Sequence, residues 1–297
     1  MPTKPNFFII GAPKSGTTSL AHYLAGHPRV FMSDPKEPQH YNTDIDHVTD
    51  YADKADYLRL FDGVGPEHEA VGEASVWYLY SREAVPNILA EIPDARFIVL
   101  LRNPVEMAES LHDQMIYSGK ETEHDFRRAW HLQARRREGH AIPRSCDDGQ
   151  LLLYRDACAI GTQLQRVVDR VPPERLHIAF FDDLKTDSRT VYLETLRFLG
   201  LPDDGRTDFP VQNAAKTTRS PAVTRLLGRA RTLKRALGLK RTRTGLLRPL
   251  AQWNIKERQR EPLPRSLRRE VLDVFLDEIE QVEALTRRDL SGWRAIQ

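Results

Sequence analysis

The 297-residue sequence has only two cysteines, Cys146 and Cys158, too few for a disulfide framework and not at a metal-ligand spacing, so free thiols are expected. It has no apolar run near the roughly 18 residues that cross a bilayer. Its start, Met1-Pro2-Thr3-Lys4-Pro5-Asn6, is expected to lead directly into a strand with no signal peptide, which points to the cytosol. Internal repeats and low-complexity tracts are missing. Acid is missing from one stretch: no Asp or Glu occurs from Phe209 to Lys256, where twelve Lys and Arg fall, although the whole chain carries a net charge of only +2. The chain as a whole has an ordinary globular composition, 40% hydrophobic, enough to bury a full core.

Against this background one segment stands out, Phe7-Phe8-Ile9-Ile10-Gly11-Ala12-Pro13-Lys14-Ser15-Gly16-Thr17-Thr18-Ser19-Leu20. An apolar strand stops at a Gly-Pro turn and restarts as a hydroxyl-rich helix N-terminus, the arrangement that cradles a phosphate with backbone N–H groups and the helix dipole. The spacing of Gly11 and Gly16 matches the phosphate loop GxxxxGK[ST], but Thr17 stands where the lysine belongs and the only lysine, Lys14, lies inside the loop. That weakens a nucleoside triphosphatase reading. A second motif follows: Arg96-Phe97-Ile98-Val99-Leu100-Leu101 reads as a buried strand, then Arg102-Asn103-Pro104 and a helix carrying Ser110. An arginine at a strand's carboxyl end offers fixed donors to a second phosphate, and the serine adds a hydroxyl. Two phosphate sites imply a nucleotide with phosphates at both ends.

The two motifs in this order resemble sulfotransferases that use 3′-phosphoadenosine 5′-phosphosulfate (PAPS). The likeness runs from residue 6 to about 220 and is closest to the carbohydrate and heparan sulfate branch, in a bacterial-type form without the Golgi members' anchor. It implies that Lys14, Ser15, Gly16, Thr17, Thr18 and Ser19 bind the 5′-phosphosulfate and that Arg102 and Ser110 bind the 3′-phosphate. Lys14 would stabilise the leaving group. Thr17 and Thr18 could equally be helix caps. Lys36-Glu37-Pro38-Gln39-His40-Tyr41 resembles the family segment that carries the base, which makes Glu37 the candidate base, with His40 next and His112 a more distant one. The alternative for Glu37 is a surface pair with Lys36. Gly72-Glu73-Ala74-Ser75-Val76-Trp77-Tyr78 partly matches a segment that lines the acceptor cleft, naming Glu73, Trp77 and Tyr78, although Ala74 replaces the usual lysine and the aromatics could be core. Lys216 and Arg219 occupy the place of a loop that closes over the 3′-phosphate. No metal is expected, and no nucleic-acid partner.

The expected fold is α/β, single-domain and P-loop-like, with a mainly parallel central sheet flanked by helices over 1–297. It divides into a core over 6–208, a basic lid and arm over 209–256 and a C-terminal helix packing back over 257–297. Strands are expected at 6–10, 29–32, 69–73, 96–101 and 176–181. Helices are expected at 17–26, 51–62, 83–91, 104–118, 123–138, 153–171, 187–199 and 264–286. The acceptor is expected to be a saccharide, glycolipid or small metabolite, and the 225–248 arm to meet an anionic acceptor or the inner membrane surface. Rival readings are a P-loop kinase or nucleotidase, and a non-enzymatic binder of anionic surfaces or nucleic acid.

Overall fold

The protein is described from a computed structural model that covers residues 3–46, 51–210, 216–218, 255–257 and 262–296. Five parallel strands form the central sheet: β1 (Phe7–Gly11), β2 (Val30–Met32), β3 (Ala70–Ala74), β4 (Arg96–Leu101) and β5 (Leu176–Phe180), in the order β2-β3-β1-β4-β5. The helices are α1 (Thr17–Ala25), α2 (Lys54–Leu58), α3 (Ala84–Glu91), α4 (Pro104–Ser118), α5 (Phe126–His131), α6 (Gln133–Arg137), α7 (Tyr154–Ala157), α8 (Ile160–Val168), α9 (Phe181–Thr186), α10 (Ser188–Leu199) and α11 (Arg265–Thr286).

The sheet explains why β1 reads as a continuous apolar run. Side chains alternate between faces, and here both faces are covered. Phe8 and Ile10 join a core with Phe97, Val99, Leu164, Val271 and Phe275, while Phe7 and Ile9 join a second core with Ile98, Leu100, Leu20 and Leu196. All five residues of β1 are buried, each large side chain contributing roughly 1.5–3 kcal/mol. The C-terminal helix α11 closes the first core through Leu267, Val271, Phe275, Ile279 and Val282, leaving Val274 on its exposed side.

Two expected helices prove to be broken. The 123–138 stretch divides at Leu132 into α5 and α6, and Gln133 turns inward to donate to Ala129 O (3.2 Å) and Leu152 O (3.0 Å). The 153–171 stretch breaks at Cys158 and Ala159, where Gln163 Nε2 donates to the carbonyls of Asp156 (2.8 Å) and Ala157 (3.2 Å). Buried glutamines that cap carbonyls leave no mark in an apolar periodicity. Asp182, Asp183 and Leu184, directly after β5, are helical and belong to α9.

Of the basic stretch, β6 (Lys216–Thr218) pairs antiparallel with β7 (Ile255–Glu257), Lys216 opposite Glu257, and β6 runs alongside α4. Arg219 and the arm at 225–248 lie outside the described residues. No helix among the described residues is long and apolar enough to cross a membrane.

Candidate active site

The carboxyl ends of all five strands lie at one edge of the sheet, and β1 is its switch point: the chain goes one way to β2 and β3 and the other way to β4 and β5. Ligands of open parallel sheets bind at such a crevice. The loop from Gly11 to Gly16 sits there. Gly16, at φ 87°, is the N-cap of α1, and a Cβ on it would come within 2.5 Å of Leu184 Cδ2 in α9. The left-handed turn and the close approach each call for glycine. No side chain caps α1 and no acid lies in its first turn, so Thr17 and Thr18 are not caps and the helix start presents its N–H groups and positive dipole end. Ser15 is wholly buried, its hydroxyl donating to Pro13 O at 3.4 Å. Thr17 and Ser19 are also buried.

Lys14 adopts φ 62°, a left-handed conformation that costs a non-glycine residue about 1–2 kcal/mol. Its Nζ donates to Gln114 Oε1 of α4 at 3.2 Å, and its carbonyl accepts from Arg102 Nη1 at 2.9 Å. The two candidate phosphate-binding cations are thus joined through one peptide. Arg102 is fixed on further sides. Its Nη2 and Nε reach Glu106 Oε2 at 2.9 and 3.3 Å, and its guanidinium lies 4.6 Å over the Phe181 ring. Ser110 is buried one turn beyond Glu106 on the same helical stripe, and Gln114 follows one turn later.

The turn after Arg102 is held by the end of the chain. Asn103 accepts from Val105 N (3.0 Å) as the cap of α4 and donates to Trp293 O (3.0 Å). Trp293 Nε1 donates to Asp182 Oδ2 at 2.8 Å, and Arg288 grips Asp183 with both guanidinium arms, one at 2.6 Å.

On the other side of β1 lies the segment 36–41. Glu37 (φ 66°) and Gln39 (φ 53°) are both left-handed, so this loop is strained as the Lys14 loop is. Glu37 N donates to Ala74 O at 3.0 Å; its Oε2 accepts from Val76 N at 2.9 Å, and its Oε1 pairs with Lys36. The Glu37 side chain keeps 30% of its surface exposed. Val76 belongs to the one-turn helix Val76–Tyr78, whose Val76 carbonyl would lie 3.0 Å from a Cβ on Gly11, so Glu37 is anchored against the start of the Gly11–Gly16 loop.

Beneath this loop, Glu73 in β3 is fully buried. Its Oε2 accepts from Tyr57 (2.8 Å) and Tyr78 (3.1 Å), while Oε1 has no hydrogen-bond partner among the described residues. Burial pushes its carboxyl up to about 7. The same burial, with the carboxylate beside them, drives the Tyr57 and Tyr78 phenols well above their ordinary value.

Of the residues expected from sequence, Lys14, Arg102 and the α1 start come together at the β1/β4 crevice, and Glu37 stands against the same loop. His40 stacks on Tyr57 with centroids 4.3 Å apart, its Nδ1 lying 2.8 Å from Tyr51 O. His112 is buried, bonded at Nε2 to Glu123 O (2.8 Å), and burial lowers its basicity. It packs between α4 and its neighbours and offers no surface to a substrate. Glu73 and Tyr78 are enclosed, and Trp77 is nearly so. Sequence reading did not single out Glu106, Gln114, Phe181, Tyr57 or Trp293. The spacing of Glu106, Ser110 and Gln114 was a visible signal for the first two. Among the described residues no group of three or more His, Cys, Asp or Glu could hold a metal ion.

The model of the sulfotransferase domain matches residues 4–219. A sulfotransferase structure from Alicyclobacillus acidocaldarius superposes with a TM-score of 0.71 at 28% identity, covering 99% of this chain and 100% of that one. The membrane-associated sulfotransferase kil1 of Dictyostelium discoideum is 32% identical over 108 residues, 36% of this chain and 22% of that protein. Human carbohydrate sulfotransferase 15 is 33% identical over 143 residues, 34% of this chain and 26% of that protein. The chain thus spans about a quarter or less of the curated relatives it matches. With the domain model matching nearly three quarters of its length, the chain belongs to the sulfotransferase family.

Proposed function

We propose that the protein transfers a sulfuryl group from PAPS to a hydroxyl or amine of an acceptor, by in-line displacement. The observation that carries this reading is the join between Lys14 and Arg102, which sets two cations beside an uncapped helix start. That donor set fits a nucleotide with a phosphate at each end. PAPS supplies an activated sulfur on a phosphate leaving group.

In this reading the α1 N–H groups, Ser15, Thr17, Thr18 and Ser19 hold the 5′ end, and Arg102 with Ser110 holds the 3′-phosphate. Lys14 Nζ moves from Gln114 toward the bridging oxygen and neutralises charge as it develops there. Glu37 takes the acceptor's proton on a carboxylate oxygen, with His40 as the second choice. Glu73 and Tyr78 are wholly enclosed, so of the three residues expected to line the acceptor cleft Trp77 alone serves as an acceptor contact in this reading. Lys216, on the strand beside α4, closes over the 3′ end with Arg219.

A saccharide or glycolipid acceptor is favoured, supported by the carbohydrate relative, and a cytosolic site of action with the 225–248 arm contacting an anionic acceptor or membrane surface. One functional unit over 1–297 completes the reading. Mass spectrometry of extracted glycans and lipids after incubation with isotopically labelled PAPS tests it, expecting products heavier by one SO₃. Magnesium-dependent ATP consumption with no such gain would favour a kinase instead.

A further inference from the structure

Glu73 is a buried titratable group that the transfer steps above leave without a task. It is wholly enclosed, and one of its oxygens has no partner among the described residues. A buried carboxyl with one oxygen left unbonded is costly to keep. Its second oxygen accepts from two phenols, and both phenols serve the loop of residues 36–41. Tyr78 Oη accepts from the backbone N–H of His40 at 2.9 Å and of Tyr41 at 3.3 Å before donating to Glu73. Tyr57 lays its ring parallel to the His40 imidazole, 4.3 Å away, and donates to Glu73 at 2.8 Å. The next residues of the same chain segment hold the rest of the loop. Ala74 O takes the Glu37 N–H, Ser75 Oγ takes the Gln39 N–H at 3.0 Å, and Val76 N binds the Glu37 carboxylate. The loop has two left-handed non-glycine residues, so it keeps its shape only while such outside bonds over-determine it.

We propose that Glu73 is a positioning residue, the common acceptor through which Tyr57 and Tyr78 fix the 36–41 loop and thereby aim Glu37 at the acceptor. The proposal rests on the sulfuryl-transfer reading for what Glu37 does, but not for how the loop is held. Either protonation state of Glu73 can accept through Oε2, so an amide in its place preserves the arrangement, and an apolar side chain does not.

Hydrogen exchange over 36–42, measured by mass spectrometry on the full chain, decides it. Calorimetric binding of 3′-phosphoadenosine 5′-phosphate and turnover of PAPS with water as acceptor are read alongside. Glu73→Leu should speed exchange of this segment about tenfold or more, the scale of one lost buried hydrogen bond. It should lower kcat for PAPS about 10²-fold, leaving KM and nucleotide affinity within about twofold. Glu73→Gln should restore both protection and turnover. Tyr57→Phe, which removes one bond to Glu73, should show the same pattern more weakly, and Tyr78→Phe, which removes its bond to Glu73 together with the acceptor of the His40 and Tyr41 N–H groups, should show it at least as strongly; both serve if Glu73→Leu does not fold. Unchanged exchange in Glu73→Leu, or in both tyrosine variants, overturns the proposal. So does a Glu73→Gln protein with full protection and lost turnover, which would make Glu73 a proton-transfer group. Failure of the wild-type protein to bind the nucleotide would overturn the transfer reading alone, since exchange reports on the loop without it.

Discussion

The two sides of β1 are built differently. Toward β4 the crevice is lined by cations and an open helix start, held by contacts that reach α4, α9 and the end of the chain. Toward β3 it is lined by a carboxylate on a strained loop, braced from below by a buried carboxyl and phenols. The first side can bind an anion with the groups it already presents. In the proposed transfer, the second removes a proton only if one loop keeps its shape. Binding and chemistry therefore ought to respond separately to substitution, and each prediction tests that separation.

The largest effect is expected at Glu37. Glu37→Gln keeps the bond from Val76 N and removes the proton acceptor, so turnover of PAPS should fall about 10²–10⁴-fold. Affinity for 3′-phosphoadenosine 5′-phosphate, measured by calorimetry, should stay nearly intact. Near-normal turnover would transfer the role of base to His40.

Next comes Glu73. Burial raises its carboxyl from 4.5 to about 7, so folding favours its neutral form. The resulting stabilisation is complete below pH 4.5 and is lost as pH rises to about 7, a span worth up to about 3 kcal/mol. Urea unfolding of wild type should therefore lose stability across that window relative to Glu73→Gln, which has nothing to titrate there. Parallel curves would mean that Glu73 is not held in an apolar setting. Nucleotide affinity should be indifferent to this substitution.

The smallest effect belongs to the binding side. Glu106 engages Arg102 at 2.9 Å yet is itself partly exposed, so the pair is worth about 0.3–0.5 kcal/mol. Glu106→Gln should tighten 3′-phosphoadenosine 5′-phosphate binding about twofold, with turnover at saturating PAPS unaltered. A large loss of affinity would show that Glu106 orients Arg102 more than it competes for it.

The same contrast governs how much could be read without a structure. The Gly11–Gly16 loop, the Arg102 turn and the parallel sheet are local patterns: an apolar run, two glycines at fixed spacing, an arginine at a strand end. The bracing of Arg102 by Phe181, and of Asn103 by Trp293, joins residues far apart in sequence and carries no periodic signature. Glu73 reads from sequence as a polar residue at a strand end. Its enclosure depends on Tyr57, brought over it by α2, and on the one-turn helix that carries Tyr78. The helix breaks at Leu132 and Ala159 were hidden for a similar reason, because the buried amides of Gln133 and Gln163 that bond carbonyls there carry no periodic signature.

The account stands or falls on two phosphate sites belonging to one nucleotide. Calorimetry with 3′-phosphoadenosine 5′-phosphate and with adenosine 5′-phosphosulfate, on wild type and Arg102→Ala, tests this directly. The substitution should cost about 1.5–3 kcal/mol for the ligand with a 3′-phosphate and almost nothing for the one without it. Equal losses for both ligands, or no binding of either by the wild-type protein, would contradict the assignment.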